Sequence, residues 1–221
     1  MKLLLNEKPM KITIYCLKGS AGKTPIAVNI ALDHGYALGT NEPYNVLDQI
    51  LDEDSLISLK PQEAFPDFPD DINIVFDLAG ALTEESRNSI LSAVKQSDVV
   101  LVPIYNELKC LNAGVNTIQE LREHTDKIVV VATKLQKQKG EFFKDWRDSR
   151  DFQNIANVLA GTIGEGLPIF PLKFSKVFDT IFEQEQSIAQ LRAGNPLSAF
   201  TYREVADQFA ELFTYIEKTY G

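Results

Sequence analysis

The sequence predicts an α/β protein whose mostly parallel, twisted sheet is covered by helices on both faces. Short apolar runs typical of buried strands alternate along the chain with segments of helical periodicity, and this alternation favours parallel β-α-β units. The first connection between a strand and a helix has glycines and lysines in the spacing of a phosphate-binding loop. With 221 residues and no linker or internal repeat, the chain is expected to form a single domain over residues 1–221.

The first half of the chain contains three predicted strands. The apolar runs over residues 11–16 and 36–39 predict strands on either side of a helix over 26–32, and the polar turn 40–43 follows the second strand. Residues 52–71 are acidic and contain three prolines, which predicts an irregular connection with at most a short element. The run over 72–77 predicts a further strand that ends in Asp77, and a helix is expected after Gly80.

The second half continues the alternation of strands and helices. Strands are predicted over 98–104, 127–132 and 168–171. Three apolar or aromatic stripes predict helices packed on the sheet, the last of them at the C-terminus: Leu111, Val115, Ile118 and Leu121; Phe142, Phe143, Trp146, Ile155, Val158 and Leu159; Val205, Phe209, Leu212, Phe213 and Ile216.

The segment 17–24, Leu-Lys-Gly-Ser-Ala-Gly-Lys-Thr, has the chemistry of a nucleotide phosphate site. Gly19 and Gly22 allow the backbone to curl so that several N–H groups point inward, next to the amides of the following helix. Lys23 supplies a cation for the terminal phosphates, and the Thr24 hydroxyl can bind Mg²⁺. Asp77, at the end of a neighbouring strand, can hold the water shell of the same metal ion.

The pattern Lys18-Gly-x-x-Gly-Lys23-Thr24 resembles the deviant Walker A box of the ParA/MinD family of P-loop ATPases. The resemblance is greatest to short ParA-type partition proteins and extends from about Lys11 to the last helix, through 77–80, 97–104, 169–173 and 183–188. It implies ATP and Mg²⁺ as cofactors, a nucleotide-dependent homodimer, nonspecific DNA binding and a ParB-like partner. It also implies that Lys18 reaches the ATP of the partner subunit and that Pro171 lies in a loop against adenine. The implied nucleotide-binding residues are Lys18, Gly19, Ser20, Ala21, Gly22, Lys23, Thr24, Pro25 and Pro171, and the implied metal site is Thr24 with Asp77.

Three positions depart from the pattern of that family. Thr40-Asn41-Glu42-Pro43 stands where the family has Asp-x-Asp-Pro, so Glu42 is the candidate that orders the attacking water. Pro25 removes a hydroxyl and a backbone N–H donor near the α-phosphate. Ser20 replaces a glycine and must adopt a negative φ or accept strain. The sequence therefore predicts ATP binding more firmly than fast hydrolysis, which we expect to be slow and stimulated by a partner.

Composition limits the possible partners and the location. The formal net charge is −9, which argues against a protein coated by nucleic acid, although Lys134, Lys137 and Lys139 form a candidate DNA-contacting cluster. The alternative for this cluster is a solvated loop and helix face. Cys16 and Cys110 are expected to be reduced, structural thiols. The apolar run near Met1 is too short for a signal peptide, so a cytoplasmic location without membrane contact is expected.

Two other functions fit a phosphate-binding loop in this fold. One is a small-molecule synthetase similar to dethiobiotin synthetase, and the other is a degenerate nucleotide sensor that binds ATP but hydrolyses little of it. Lys18 favours the dimeric ATPase, because a lysine at this position has an evident use only across an interface. Pro25 and Thr40 favour the sensor. A MinD-like membrane positioner is disfavoured because the C-terminal residues 215–221 are not basic.

Overall fold

The computed structural model describes residues 8–43, 46–80 and 86–221. Seven strands form one sheet in which every neighbouring pair is parallel. The strands are β1 (Lys11–Ile14), β2 (Ala37–Thr40), β3 (Leu56–Ser58), β4 (Ile74–Asp77), β5 (Val99–Ile104), β6 (Ile128–Leu135) and β7 (Ile169–Lys173). Their order across the sheet is β3-β2-β4-β1-β5-β6-β7.

Helices cover both faces of this sheet, as the sequence predicts. They are α1 (Lys23–His34), α2 (Arg87–Gln96), α3 (Leu108–Leu121), α4 (Arg150–Thr162), α5 (Val177–Gln184), α6 (Ile188–Ala193), α7 (Pro196–Thr201) and α8 (Arg203–Tyr220). Alternate strand residues point to opposite faces, so Val75 packs in the core formed with α1, α5, α6 and α8. Its neighbours Ile74 and Phe76 pack in the second core, formed with α2, α3 and α4. The prediction of a parallel α/β sheet with two covered faces is confirmed.

The strand order identifies the edge at which a ligand can bind. β1 lies between β4 and β5, and the chain moves to one side of β1 for β2 and β4 and to the other side for β5. In open parallel sheets, ligands bind outside the carboxyl ends of the strands where the order changes direction in this way. The loop that follows β1 is the predicted phosphate-binding loop.

One predicted helix is wrong. The aromatic stripe beginning at Phe142 is a loop followed by a single 3-10 turn, Trp146–Asp148, and the Phe142 side chain is 94% exposed. The buried carboxylate of Glu141 closes this loop, because it accepts hydrogen bonds from the backbone N–H of Gln138 at 2.6 Å and of Arg150 at 2.8 Å. The helix α4 begins only after Ser149, whose hydroxyl caps it by accepting from the Phe152 N–H at 3.2 Å.

The acidic connection 52–71 and the two cysteines agree with the predictions from the sequence. Residues 52–71 contain only a 3-10 turn and the three-residue edge strand β3, in agreement with the prediction of at most a short element. Cys16 and Cys110 are free and buried, as expected for structural thiols. In the described ranges, no helix combines the length and the apolar character that crossing a membrane requires.

Candidate nucleotide-binding site

The loop between β1 and α1 exposes helix amides at the carboxyl edge of the sheet. Gly22 is the N-cap of α1 with φ of 99°, a left-handed conformation that glycine adopts without strain. Because Gly22 has no side chain to cap the helix, the first-turn N–H groups remain available for an anion. Ser20 has φ of 61°, so the residue that replaces a glycine accepts backbone strain instead of taking a negative φ.

Lys23 and Gly80 lie together beneath this loop. The Lys23 side chain is almost fully buried, and its Nζ lies 4.0 Å from Glu42 Oε1. A Cβ on Gly80 would lie 3.0 Å from both Lys23 Nζ and the backbone N of Gly19, so only a residue without a side chain allows this approach. Gly80 was not predicted as a site residue. The only indication in the sequence was that a glycine follows Asp77 closely.

Asp77 is a carboxylate buried at the carboxyl end of β4. It is the last residue of β4, pairs in register with Ile14 and Thr40, and is fully buried. Within the described part of the chain, neither of its oxygens accepts a hydrogen bond. Burial raises the pKa of Asp77 to about 7, against the opposing effects of the Thr24 hydroxyl and the Lys23 ammonium.

The surroundings of Asp77 fit a divalent cation. An unpaired buried carboxylate is costly unless another positive or hydrogen-bonding group compensates it. Among the groups that lower the pKa of Asp77, the Thr24 hydroxyl has the largest effect, ahead of the Lys23 ammonium. Mg²⁺ in phosphate sites is held by one or two such oxygen ligands together with the phosphates and water. The structure therefore brings together Lys23, Thr24 and Asp77, as the sequence predicts.

Asn41 fixes the end of β2 beside this carboxylate. Its Oδ1 accepts from the Ala79 N–H at 2.7 Å, and its Nδ2 donates to Ser89 Oγ at 2.7 Å. The Thr40 hydroxyl accepts from the Glu42 N–H at 3.1 Å. Asn41 is thus a positioning residue that sequence reasoning missed, and the Glu42 carboxylate is brought to the site by the turn that Asn41 anchors.

A cavity of about 540 Å³ extends from the loop to the ends of β6 and β7. Pro25 lines it from the first turn of α1, where its ring replaces an N–H donor. The opposite wall is formed by Thr133, Lys134, Leu172, Phe174, Ser175, Phe178 and Asp179. The prediction that Pro171 lies in a loop is wrong, because this residue is buried within β7 and pairs with Ala132. This wall is formed by the end of β6 and by residues that follow Pro171, and not by Pro171 itself.

Lys134 does not belong to an exposed basic cluster. Its Nζ donates a hydrogen bond of 2.6 Å to the backbone oxygen of Ser20, so this lysine lies against the phosphate loop. Lys137 lies elsewhere, with its Nζ 4.8 Å from the centre of the Phe143 ring. The candidate DNA surface is therefore divided, and only Lys137 and Lys139 remain in it.

Lys18 is half-buried at the start of the loop. In the described ranges its ammonium makes no hydrogen bond or ion pair with another residue of the chain. A second open space of about 810 Å³ lies on the other side of the loop, next to Glu42 and Asp77. Lys18 is thus half-buried and unpaired among the described residues, and open space lies beside the loop at Glu42 and Asp77.

Comparison with known proteins identifies the fold. No protein-family model and no curated protein matches the chain. Among solved structures, apo McdA of Cyanthece gives a TM-score of 0.59 at 14% identity, over 90% of this chain and 98% of that chain. The cell division protein MinD of Aquifex aeolicus gives 0.57 at 16% identity, over 93% and 97%. A plasmid partition protein of Borrelia burgdorferi bound to AMPPNP gives 0.53 at 14% identity, over 92% and 99%. The chain therefore has the P-loop ATPase fold shared by McdA, MinD and plasmid partition proteins.

Proposed function

We propose that the protein is a ParA-like ATPase that binds ATP with Mg²⁺, forms a nucleotide-dependent sandwich dimer and acts in DNA partition or positioning. The main support is the group formed by the loop, Lys23, Thr24 and the unpaired carboxylate of Asp77 at one edge of the sheet. The ATP complex of McdA and the AMPPNP complex of the Borrelia protein belong to the same fold. A cytoplasmic location accompanies this proposal.

Each part of the site has a physical role in binding a nucleotide. The loop amides, including the first-turn N–H groups of α1, donate to phosphate oxygens. Lys23 neutralises the terminal phosphates, and its low exposure strengthens that attraction because little water screens it. Thr24 and Asp77 would hold Mg²⁺, which supplies charge neutralisation at the phosphates.

Hydrolysis depends on a different part of the site. Phosphoryl transfer requires an oriented water molecule in addition to charge neutralisation. Asn41 is engaged by Ala79 and Ser89, which leaves the carboxylate of Glu42 as the proposed group for that water. Glu42 is ion-paired with Lys23, an arrangement that favours slow turnover until nucleotide or a partner displaces it. The same observation favours a nucleotide sensor as the second candidate function.

The dimer is proposed from the surface at the carboxyl edge. Among the described residues, six large hydrophobic side chains are exposed, and four of them follow strand ends at this edge: Val46, Leu108, Phe142 and Phe174. Contiguous exposed apolar surface marks an interaction site, and we propose that these side chains contribute to such a surface when two copies meet at this edge. Lys18 lies at the same edge, and its ammonium is not paired with any described residue. A lysine that binds the nucleotide of a second subunit would need to be unpaired in this way.

Sedimentation velocity with Mg²⁺ and ATP, AMPPNP or ADP tests the proposed dimer. We expect the parent protein to dimerise with ATP and AMPPNP, and the Lys18→Ala variant to remain monomeric. Lys95→Ala, in the last turn of α2, is the matched control and should dimerise like the parent. If Lys18→Ala dimerises equally well, the sandwich-dimer assignment is wrong. Turnover of ATP with and without DNA or a ParB-like protein then separates the partition ATPase from the sensor, which shows little stimulation.

A further inference from the structure

Strand β6 has an irregular end that directs one lysine over the phosphate loop. The register of β6 with β7 shifts between Ala132 and Leu135, and Lys134 between them has φ of 54°. A bulge of this kind bends a strand and redirects a side chain, often next to a functional site. A lysine in the left-handed region stores conformational strain that the surrounding contacts must balance.

The two residues at this strand end hold two successive carbonyls of the loop. Lys134 Nζ donates to the Ser20 oxygen at 2.6 Å, and Thr133 Oγ1 donates to the Ala21 oxygen at 2.9 Å. Lys134 Nζ also lies 4.7 Å from the centre of the Tyr105 ring, a cation–π distance that fixes the ammonium in place. These contacts join residues that are more than 100 positions apart in the sequence.

Fixing a carbonyl also fixes the next amide. The C=O of Ser20 and the N–H of Ala21 belong to one planar trans peptide, so they point in opposite directions. With the Ser20 oxygen held by a cation, the Ala21 N–H is directed away from Lys134. The Thr133 contact constrains the Gly22 N–H in the same way. Ser20 itself has φ of 61°, where serine is less stable than glycine.

We propose that Lys134 is a positioning residue that holds Ser20 in its left-handed conformation and so keeps the loop amides aimed at the phosphates. It compensates for the glycine that the loop lacks at position 20. Because its Nζ is engaged by a backbone oxygen, Lys134 acts through the loop and is not itself a phosphate ligand. This inference rests on the proposed nucleotide-binding function.

The test compares binding of inorganic tripolyphosphate and of Mg-ATP by titration calorimetry. Lys134→Met keeps the side-chain stem and removes the donor, Lys134→Arg keeps a donor, and Lys137→Met is the control outside the cavity. Without the Lys134 donor, the Ala21 amide would lose its alignment, and loss of that amide's charge-assisted hydrogen bond to phosphate predicts about ten-fold weaker binding of both ligands by Lys134→Met. Lys134→Arg should bind within about three-fold of the parent, since it can still donate to the carbonyl, and Lys137→Met should be unchanged.

A double substitution tests the connection with Ser20. In the Ser20→Gly background, Lys134→Met should weaken binding less, because glycine adopts this φ without support. Unchanged affinity in Lys134→Met, or an equal loss in both backgrounds, overturns the inference. Weaker binding of ATP with unchanged binding of tripolyphosphate also overturns it, since Lys134 would then contact the nucleoside directly. A parent protein that binds neither ligand instead refutes the proposed function, and this role with it.

Discussion

Gly80→Ala should weaken nucleotide binding without changing any charged or hydrogen-bonding side chain. The added Cβ would lie 3.0 Å from Gly19 N, 3.0 Å from Lys23 Nζ and 3.2 Å from the backbone C of Lys18. Carbon atoms pack favourably at about 3.5–4.0 Å, so these neighbours must move by roughly half an ångström. The lysine ammonium can swing aside, but the two backbone atoms can move only with the loop.

The size of the effect follows from hydrogen-bond geometry. An amide that moves from about 2.9 Å to about 3.4 Å from a phosphate oxygen leaves the favourable range. Loss of one charge-assisted hydrogen bond costs about 1.5–3 kcal/mol, which corresponds to roughly ten-fold to a hundred-fold in affinity. Gly80 does not have a positive φ, so the substitution adds steric contact without a backbone conformational penalty.

The assay is calorimetric titration with AMPPNP and Mg²⁺, combined with urea unfolding without nucleotide. Gly161→Ala is the matched control, because Gly161 lies in α4 and a Cβ there meets nothing within 4 Å. This control should bind like the parent and be more stable by about 0.5–1 kcal/mol, as expected for alanine in a helix. Normal affinity in Gly80→Ala would refute the reasoning, because the loop would then accommodate the methyl group without moving its amides.

Two further substitutions test the ligand groups of the site. Pro25→Thr should strengthen ATP binding about ten-fold by restoring an N–H and a hydroxyl, and equal or weaker affinity by calorimetry would mean that other groups already satisfy those phosphate oxygens. For Asp77, burial raises the folded-state pKa to about 7 from 3.8, so the folded nucleotide-free protein holds its proton more tightly than the unfolded chain. This group therefore lowers stability by up to about 4 kcal/mol as pH rises from about 4 to 7. Urea unfolding in EDTA should show this pH-dependent loss of stability in the parent and not in Asp77→Asn. Identical pH profiles of stability in the two proteins would contradict the raised pKa of Asp77.

The parts of the site that the sequence predicts are those defined by local pattern. The loop 17–24 joins a buried strand to a helix within one short segment, so residue type and spacing indicate both its geometry and its chemistry. Asp77 ends an apolar run, and the parallel sheet that this run implies brings all carboxyl ends to one edge. The fold class was predictable for the same reason.

The parts that were not predicted depend on contacts between distant segments. Asn41 reaches Ala79, Gly80 approaches Gly19, and Lys134 reaches Ser20 across 114 positions. None of these pairs has a periodic signal, because each one exists only after the strands have been placed side by side. The exposed Phe142 shows the opposite error, since helical spacing alone does not reveal that the Glu141 carboxylate closes a loop there.

The positions that depart from the ParA pattern fall into two groups with different physical consequences. Ser20 has a strained φ, and its carbonyl accepts a hydrogen bond from Lys134, so under our proposal the geometry for binding phosphate is kept. Thr40, which lies beside the buried Asp77, has a hydroxyl where the ParA pattern has a carboxylate. Glu42 is ion-paired with Lys23, so the proposed groups for ordering water differ from those of that pattern. Under the proposed function, binding and hydrolysis would thus depend on separate parts of this site. Substitutions in the loop should change nucleotide affinity, whereas substitutions in the turn after β2 should change turnover at nearly constant affinity.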